Sequence, residues 1–494
     1  MMYDAVIIGG GISGMTAALL LAKSGSRVLL LESSPQLAPV VRGFSRDGLY
    51  FDTGFHYAGG LNKGGVLERF FRHLGLREQL DLQPYASDGF DLFRDPHNKK
   101  EFAFPCGYTA AREAFNEHFP AEQEAIQTYL EAIRQECQKL PYLNPELTFD
   151  PQQMMGLLHG LTLQQFLDGI TANHDLQQRL SLHGLLYGVP PTEMPFTLHA
   201  SVVAPYFEGT CGIHGGGRQL VRAYTRRLEA LGVEIRTGSG ASSIELDENE
   251  HVAAVLADNG ERLACRHCIS SVAPRVLLDL LPPGAFRPAY RKRLAGLEET
   301  PSAHLVFAAC ENSSFLDRRN LFLDGTGSPF DALGESGLDT RTLYLAKAHA
   351  DPHGSERNGL VIICPAEQAE TAPWQESTRG QRPKAYSTFK QQVVETICRR
   401  VETDCPELGR ITPVASSTPL TMRDYSGNPG GGIYGVKHKV EQFNPQPPTR
   451  IPGLILTGQS TAAPGILGAT LSAYLSCGHL LGHDTLCNEV KACN

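Results

Sequence analysis

The chain is poor in several things, each of which would define a class of protein. Its 494 residues include one tryptophan, Trp374, and aromatic residues make up 8%. No apolar run reaches the roughly 18 residues that a membrane-spanning helix needs, because glycine or a charge breaks every candidate. A transmembrane helix is therefore not expected, while attachment to a membrane surface is left open. No long block of lysine and arginine occurs, and the formal net charge is -9, from 44 basic and 53 acidic residues. Nucleic acid is not expected as a partner, since neutralising phosphates takes a basic face. The first residues show no basic segment leading into an apolar stretch and cleavage site, so no secretory signal is read and a cytoplasmic setting is expected. The sequence has no His-Glu-x-x-His, no Gly-x-Ser-x-Gly and no Gly-x-x-x-x-Gly-Lys-Ser/Thr, so neither a metal site nor those catalytic loops are expected.

Apolar residues reach 41% and charged residues 20%, enough for a sizeable core. At about 150 residues per domain the length suggests two to four domains. The twelve cysteines are scattered and read as reduced thiols. Cys265 and Cys268, the one close pair, flank the start of an apparent strand and read as packed thiols rather than a redox dithiol.

The first thirty residues are the most informative. An apolar strand, Tyr3 to Ile8, leads into Gly9-Gly10-Gly11-Ile12-Ser13-Gly14. An Ala- and Leu-rich helix over 15–24 follows, then a second strand over 28–31 ending in Glu32. Strand, glycine turn, helix, strand and acid is the order of a dinucleotide-binding βαβ unit. Gly9 permits the tight turn, Gly11 lets a diphosphate approach the backbone, and Gly14 lets helix and sheet pack closely. The helix start offers unpaired N–H groups and partial positive charge to the diphosphate. Glu32, 18 residues after Gly14, is placed to accept ribose hydroxyls. The motif alone does not separate NAD from FAD.

Residues 48–57, Gly-Leu-Tyr-Phe-Asp-Thr-Gly-Phe-His-Tyr, resemble the phytoene desaturase, carotenoid isomerase and retinol saturase group of FAD-dependent oxidoreductases, most of all the retinol saturase branch. Pro452-Gly-Leu-Ile-Leu-Thr-Gly-Gln459 and Pro464-Gly-Ile-Leu-Gly-Ala469 continue the resemblance near the other end, and weaker matches lie over 195–217 and 430–438. The resemblance implies an α/β fold: a discontinuous Rossmann-like FAD-binding domain (1–75, 205–275 and 440–485) and a mixed α+β substrate domain (76–204 and 276–439). It also implies FAD contacts at Gly9, Gly11, Ser13, Gly14, Glu32, Arg42, Ala241, Gly458, Gln459, Leu467 and Gly468. The family's usual glycine pair before Arg42 is replaced by Ala38-Pro39. Proline fixes φ and lacks a donor N–H, so the loop is expected to take a different path there.

The intervening chain reads as helices over 62–82, 121–139 and 219–231, with strands over 233–236 and 244–246 and a hairpin turning at Asp258-Asn259-Gly260. The Met154–Leu167 stripe reads as core, ahead of a lipophilic tunnel or membrane contact. The stretch 365–383 reads as an exposed loop.

A flavin holds and releases hydride itself, and the protein positions it. Reducing a C=C bond also takes a proton, and His56, Tyr57, His199 and Tyr434 are candidate donors by residue type and family position. A satisfied structural role is an equal reading for each. No second dinucleotide motif appears, so electrons for a reduction would come from a separate donor protein or a transient nicotinamide contact. The resemblance implies a hydrophobic polyene or isoprenoid substrate, with double-bond saturation preferred over desaturation or isomerisation. An amine oxidase is disfavoured by the single tryptophan. A non-catalytic prenyl-group carrier of the GDP-dissociation-inhibitor type is the rival from another class.

Overall fold

The computed structural model describes residues 2–97, 100–144, 146–150, 160–325, 337–350 and 357–493. Two seven-stranded sheets organise these residues. The first runs in the order Glu234–Thr237, Val28–Glu32, Tyr3–Ile8, Arg262–Ser270, Val252–Ala257, Ala241–Leu246, and Leu454–Leu456 also pairs with Arg262–Ser270. Its central strands are parallel. Tyr3–Ile8 and Val28–Glu32 are almost wholly buried, as apolar runs covered on both faces should be. The helix Ile12–Lys23 lies on one face, with Gly217–Ala230 and Gly465–Leu481 packed beside it. Eleven of its twelve residues are buried, so its all-round apolar sequence fits a central helix rather than a surface one.

The hairpin Val252–Ala257/Arg262–Ser270 is antiparallel, with Gly260 at φ 83° in its turn. Its second strand runs on to Ser270, because Cys265 to Ser270 also pair with Tyr3 to Ile8. Cys265 and Cys268 are buried free thiols in that strand.

The second sheet runs Thr412–Ser417, Ser302–Cys310, Asn358–Ala366, Leu343–Lys347, Asn320–Leu323, Asp91–Arg94, Glu101–Phe104. Alternation along Ser302–Cys310 sends Val306 and Ala308 toward Val393, Ile397 and Val401 of the helix Lys384–Asp404. Leu305 and Phe307 point the other way, against Phe51 and Val361. The helices Gln123–Gln138 and Phe196–Glu208 pack together.

Two expectations change. The 62–82 helix is one short helix, Val66–Leu74, closed by Gly75 at φ 71°, with a 3₁₀ turn after it. The 365–383 loop includes a 3₁₀ helix, Gln368–Trp374, in which Glu370 accepts from His304 and pairs with Arg341, while Trp374 packs on Phe389. Met154 to His159 lie outside the described residues, while Leu163 and Leu167 of that stripe are fully buried on the helix Leu163–Ile170.

Candidate active site

The glycine turn leaves the carboxyl end of the strand Tyr3–Ile8 and opens the helix Ile12–Lys23, whose first turn has no side-chain cap. Its amide donors therefore remain available to an anion. A Cβ on Gly14 would lie 1.9 Å from the Gly9 carbonyl oxygen, so only glycine permits this closeness. A Cβ on Gly11 would meet nothing within 4 Å, so open space lies over its backbone. Glu32 is held at the end of the next strand, its two oxygens accepting from the Gly10 and Ser34 amides, both at 2.7 Å. The Ser239 amide donates to the Glu32 carbonyl at 3.0 Å, which brings the turn before Ala241 against the same strand end. The Ser13 hydroxyl donates to the Ala469 carbonyl at 2.8 Å and ties this helix to Gly465–Leu481.

That second helix also starts without a side-chain cap. A Cβ on Gly468 would sit 2.3 Å from the Ala463 carbonyl oxygen. Upstream, Gly458 donates its amide to Ser472 at 2.8 Å, and the Gln459 carbonyl accepts from His438 at 2.6 Å. The turn, the open space above Gly11, the pinned carboxylate and two uncapped helix starts fit an FAD: amides for the diphosphate, Glu32 for the ribose, and Gly465 to Gly468 for the ring end.

Ala38 has φ 45°, in the left-handed region that favours glycine. Its amide donates to the Gly10 carbonyl at 3.0 Å, so the loop stays against the turn despite Pro39. Arg42 instead lines a cleft between 35–45 and the helix Gly217–Ala230; no residue of the turn lines that cleft.

A cavity of about 190 Å³ lies beside the Gly465–Gly468 helix start. Its walls are the loop Gly54–Gly59, the helix Phe196–Glu208 and the inner face of the second sheet. His56, Tyr57, Tyr206, Tyr344, Tyr434 and Leu467 contribute to the lining, and among the described residues no Asp, Glu, Lys or Arg does. A second cavity of about 250 Å³ shares Leu143, Ser201, Ala463 and Leu471 with it and extends toward His479 and His483.

The four proton-donor candidates separate sharply. His56 lines the cavity with its Nε2 buried and unpartnered. Burial pushes its pKa down to about 4, so it is neutral at pH 7, not the near-neutral titrating acid the residue type suggests. Tyr57 donates to Asp91 at 2.7 Å, and burial first and Asp91 second raise its pKa well above the usual phenol value. The Tyr434 hydroxyl donates to the Leu185 carbonyl at 3.1 Å, and burial raises its pKa too. His199 does not line the cavity: it is fully buried, with Tyr129 at 2.8 Å on Nε2 and Tyr187 at 2.8 Å on Nδ1. It has no nitrogen to offer a substrate, and it corrects the expectation of a fourth donor.

Asp91 has no counterpart in the sequence reading. Fully buried, it binds Tyr57, the His183 Nε2 at 3.0 Å and the Asn320 amide at 2.8 Å, while Asn320 accepts from Tyr344 at 2.9 Å. One buried carboxylate thus fixes two of the cavity's tyrosines. Its signal in the sequence was only an acid in an apolar stretch.

The fold and site define an FAD-dependent oxidoreductase with a dinucleotide cradle opening onto an apolar cavity. Comparison places the family: the chain belongs to the flavin containing amine oxidoreductases, whose model matches residues 12–481. It is 28% identical over 534 residues to the all-trans-retinol 13,14-reductase of Homo sapiens, covering 99% of this chain and 87% of that protein. It is 26% identical over 515 residues to the hydroxyneurosporene desaturase of Rubrivivax gelatinosus, covering 97% and 94%. Among solved structures, putrescine oxidase bound to putrescine matches with a TM-score of 0.64 at 16% identity, over 97% of this chain and 99% of that one, a likeness of fold. Among the described residues no helix is long and apolar enough to cross a membrane.

Proposed function

We propose that the protein uses FAD to exchange hydride with a C=C or CH–CH unit of an elongated, uncharged polyene or isoprenoid, and that it saturates a double bond. The observation carrying this reading is the cavity wall, which among the described residues has apolar and neutral polar side chains and no charged one. A protonated amine would lose hydration there without a carboxylate to receive it, whereas a hydrocarbon gains by burial. The adjoining second cavity supplies length. The named activities of the retinol reductase and carotenoid desaturase relatives agree with this substrate class.

Bound FAD supplies the hydride donor and acceptor. We assign Gly9, Gly11, Gly14 and the helix start to its diphosphate, Glu32 to its ribose, Ala241 to its adenine edge, and Gly458, Gln459, Leu467 and Gly468 to its ring end. Ser13 acts there by joining the two helix starts. His56 presents a ring nitrogen to the substrate and, being neutral at pH 7, gives the proton of a saturation from its minor protonated form. Tyr57, Tyr344 and Tyr434 shape the cavity, and the buried phenols keep their protons. Leu143, Ser201 and Leu471 stand where the two cavities meet and admit the long chain. The domain division at 1–75, 205–275 and 440–485 against the rest belongs to this reading, with electrons arriving from a separate donor.

The test is an anaerobic titration. Reduced flavin in the purified protein should be reoxidised by an all-trans polyene alcohol, and oxidised flavin should not be reduced by putrescine. Reduction of the oxidised flavin by putrescine, with no reoxidation of reduced flavin by the polyene, would replace the substrate class and keep the family. A protein that takes up no FAD would favour the carrier reading.

A further inference from the structure

A second cleft lies apart from the apolar cavity, between the segment 35–45 and the helix Gly217–Ala230, with a volume of about 750 Å³. Four guanidinium groups line it: Arg42, Arg218, Arg222 and Arg226. The last three stand four residues apart on one helix, so they form a stripe about 12 Å long at 1.5 Å per residue. Among the described residues none of the four makes an ion pair, and Glu229 is the one acid in the lining. In a chain with formal net charge -9, four unpaired arginines around one cleft are a local reversal of sign.

Two of the four are set in place. Arg218 lies over the Tyr50 ring at 4.3 Å, and its backbone amide donates to the Tyr50 hydroxyl at 2.9 Å. That hydroxyl in turn donates to the Arg42 carbonyl at 2.7 Å, so one tyrosine ties both segments that wall the cleft. Nε of Arg42 and both Nε and Nη2 of Arg218 are shielded from water and have no hydrogen-bond partner. Desolvated donors without an acceptor are costly, and an anion in the cleft would satisfy them.

We infer that this cleft binds a phosphate-bearing ligand, with Arg42 and Arg218 at its floor and Arg222 and Arg226 at its mouth. Guanidinium forks match phosphate oxygens, and the length of the stripe suits a diphosphate or two linked phosphates better than one. The ligand would sit beside the flavin domain's sheet without entering the glycine turn, since Ile235 and Thr237 line the cleft and Gly9 to Gly14 do not.

The experiment uses full-length protein saturated with FAD, so that the flavin site is closed to the probe. Inorganic pyrophosphate is titrated at low salt by calorimetry, against the wild type and the double variant Arg222→Gln/Arg226→Gln. Both positions are exposed, so folding is preserved. Saturable binding is expected, weakened on the order of tenfold or more in the variant with the flavin spectrum unchanged. Binding that is absent, or equal in the two proteins, overturns the inference. Two sources share this chemistry, and vesicles of phosphatidylcholine with phosphatidic acid separate them. Sedimentation with vesicles that pyrophosphate reverses identifies a lipid headgroup. Pyrophosphate binding without sedimentation identifies a soluble phosphate compound.

Discussion

Tyr57 donates its phenol hydrogen to Asp91 across 2.7 Å, with both side chains buried and His183 and Asn320 on the same carboxylate. The cavity wall and the second sheet are joined through this one anion. Tyr57→Phe removes a donor and leaves the carboxylate less satisfied, at a cost of about 1–3 kcal/mol. Urea unfolding should show a lower midpoint with unchanged slope, and an unchanged midpoint would mean the Tyr57 bond adds nothing.

Gly11→Ala and Gly14→Ala should behave differently. The Gly11 methyl enters open space, so folding is kept while FAD affinity falls on the order of tenfold or more by intrusion on the diphosphate. The Gly14 methyl meets the Gly9 carbonyl, so stability and FAD are lost together. Flavin titration of each apoprotein, with a thermal melt, distinguishes them. Full FAD affinity in Gly11→Ala would move the diphosphate elsewhere.

Ala38→Gly should stabilise the protein. A non-glycine residue at φ 45° is strained by about 1–2 kcal/mol, and glycine's greater freedom in the unfolded chain takes back about 0.4–1. A net gain of about 0.5–1 kcal/mol is expected in chemical denaturation, while Ala38→Val should destabilise.

His56→Gln keeps a neutral polar side chain but loses the imidazole. If His56 relays a proton, polyene-dependent flavin reoxidation should slow by about a hundredfold with the flavin spectrum unchanged. Stopped-flow absorbance reads this directly. Because His56 titrates at about 4, only its minor protonated form can give the proton, and the wild-type rate should fall about tenfold per pH unit from pH 6 to 8.

Acid should weaken the fold before the carboxylates titrate. Burial holds His56 and His438 at about 4 and His199 at about 3, below the ordinary 6.5. Between about 3 and 6.5 the unfolded chain binds more protons than the folded one, so stability is full above 6.5 and lost as pH falls through that window. The melting temperature should decline on going from pH 7 to 4.5, and His199→Phe should flatten the decline if its tyrosine contacts are replaced by packing.

The sequence disclosed what is local. The glycine turn, its helix and Glu32 lie within one stretch of chain, and each residue type has a mechanical reason that can be read without coordinates. The Asp258–Gly260 hairpin is legible on the same ground. The proton-donor candidates were not separable, because His56 and His199 differ only in what surrounds them: one nitrogen facing a cavity against two nitrogens on tyrosines. Asp91 was invisible because its partners come from sequence distances of 34, 92 and 229 residues. The parallel pairing of Asn320–Leu323 with Asp91–Arg94 creates that meeting, and no local pattern encodes it.

The flavin sheet closes late. Tyr3–Ile8 needs Arg262–Ser270 beside it, and that strand needs Leu454–Leu456 on its far edge. The helix Ile12–Lys23 rests on Gly465–Leu481 through the Ser13 hydroxyl bond. On the ribosome, the first βαβ unit therefore emerges long before the segments that cover it, and its apolar helix waits uncovered through most of translation. Such non-local closure is slow and prone to aggregation. The yield of active protein should depend on how well that early segment is sheltered by chaperones, and on slow synthesis at low temperature, more than on the final stability of the fold.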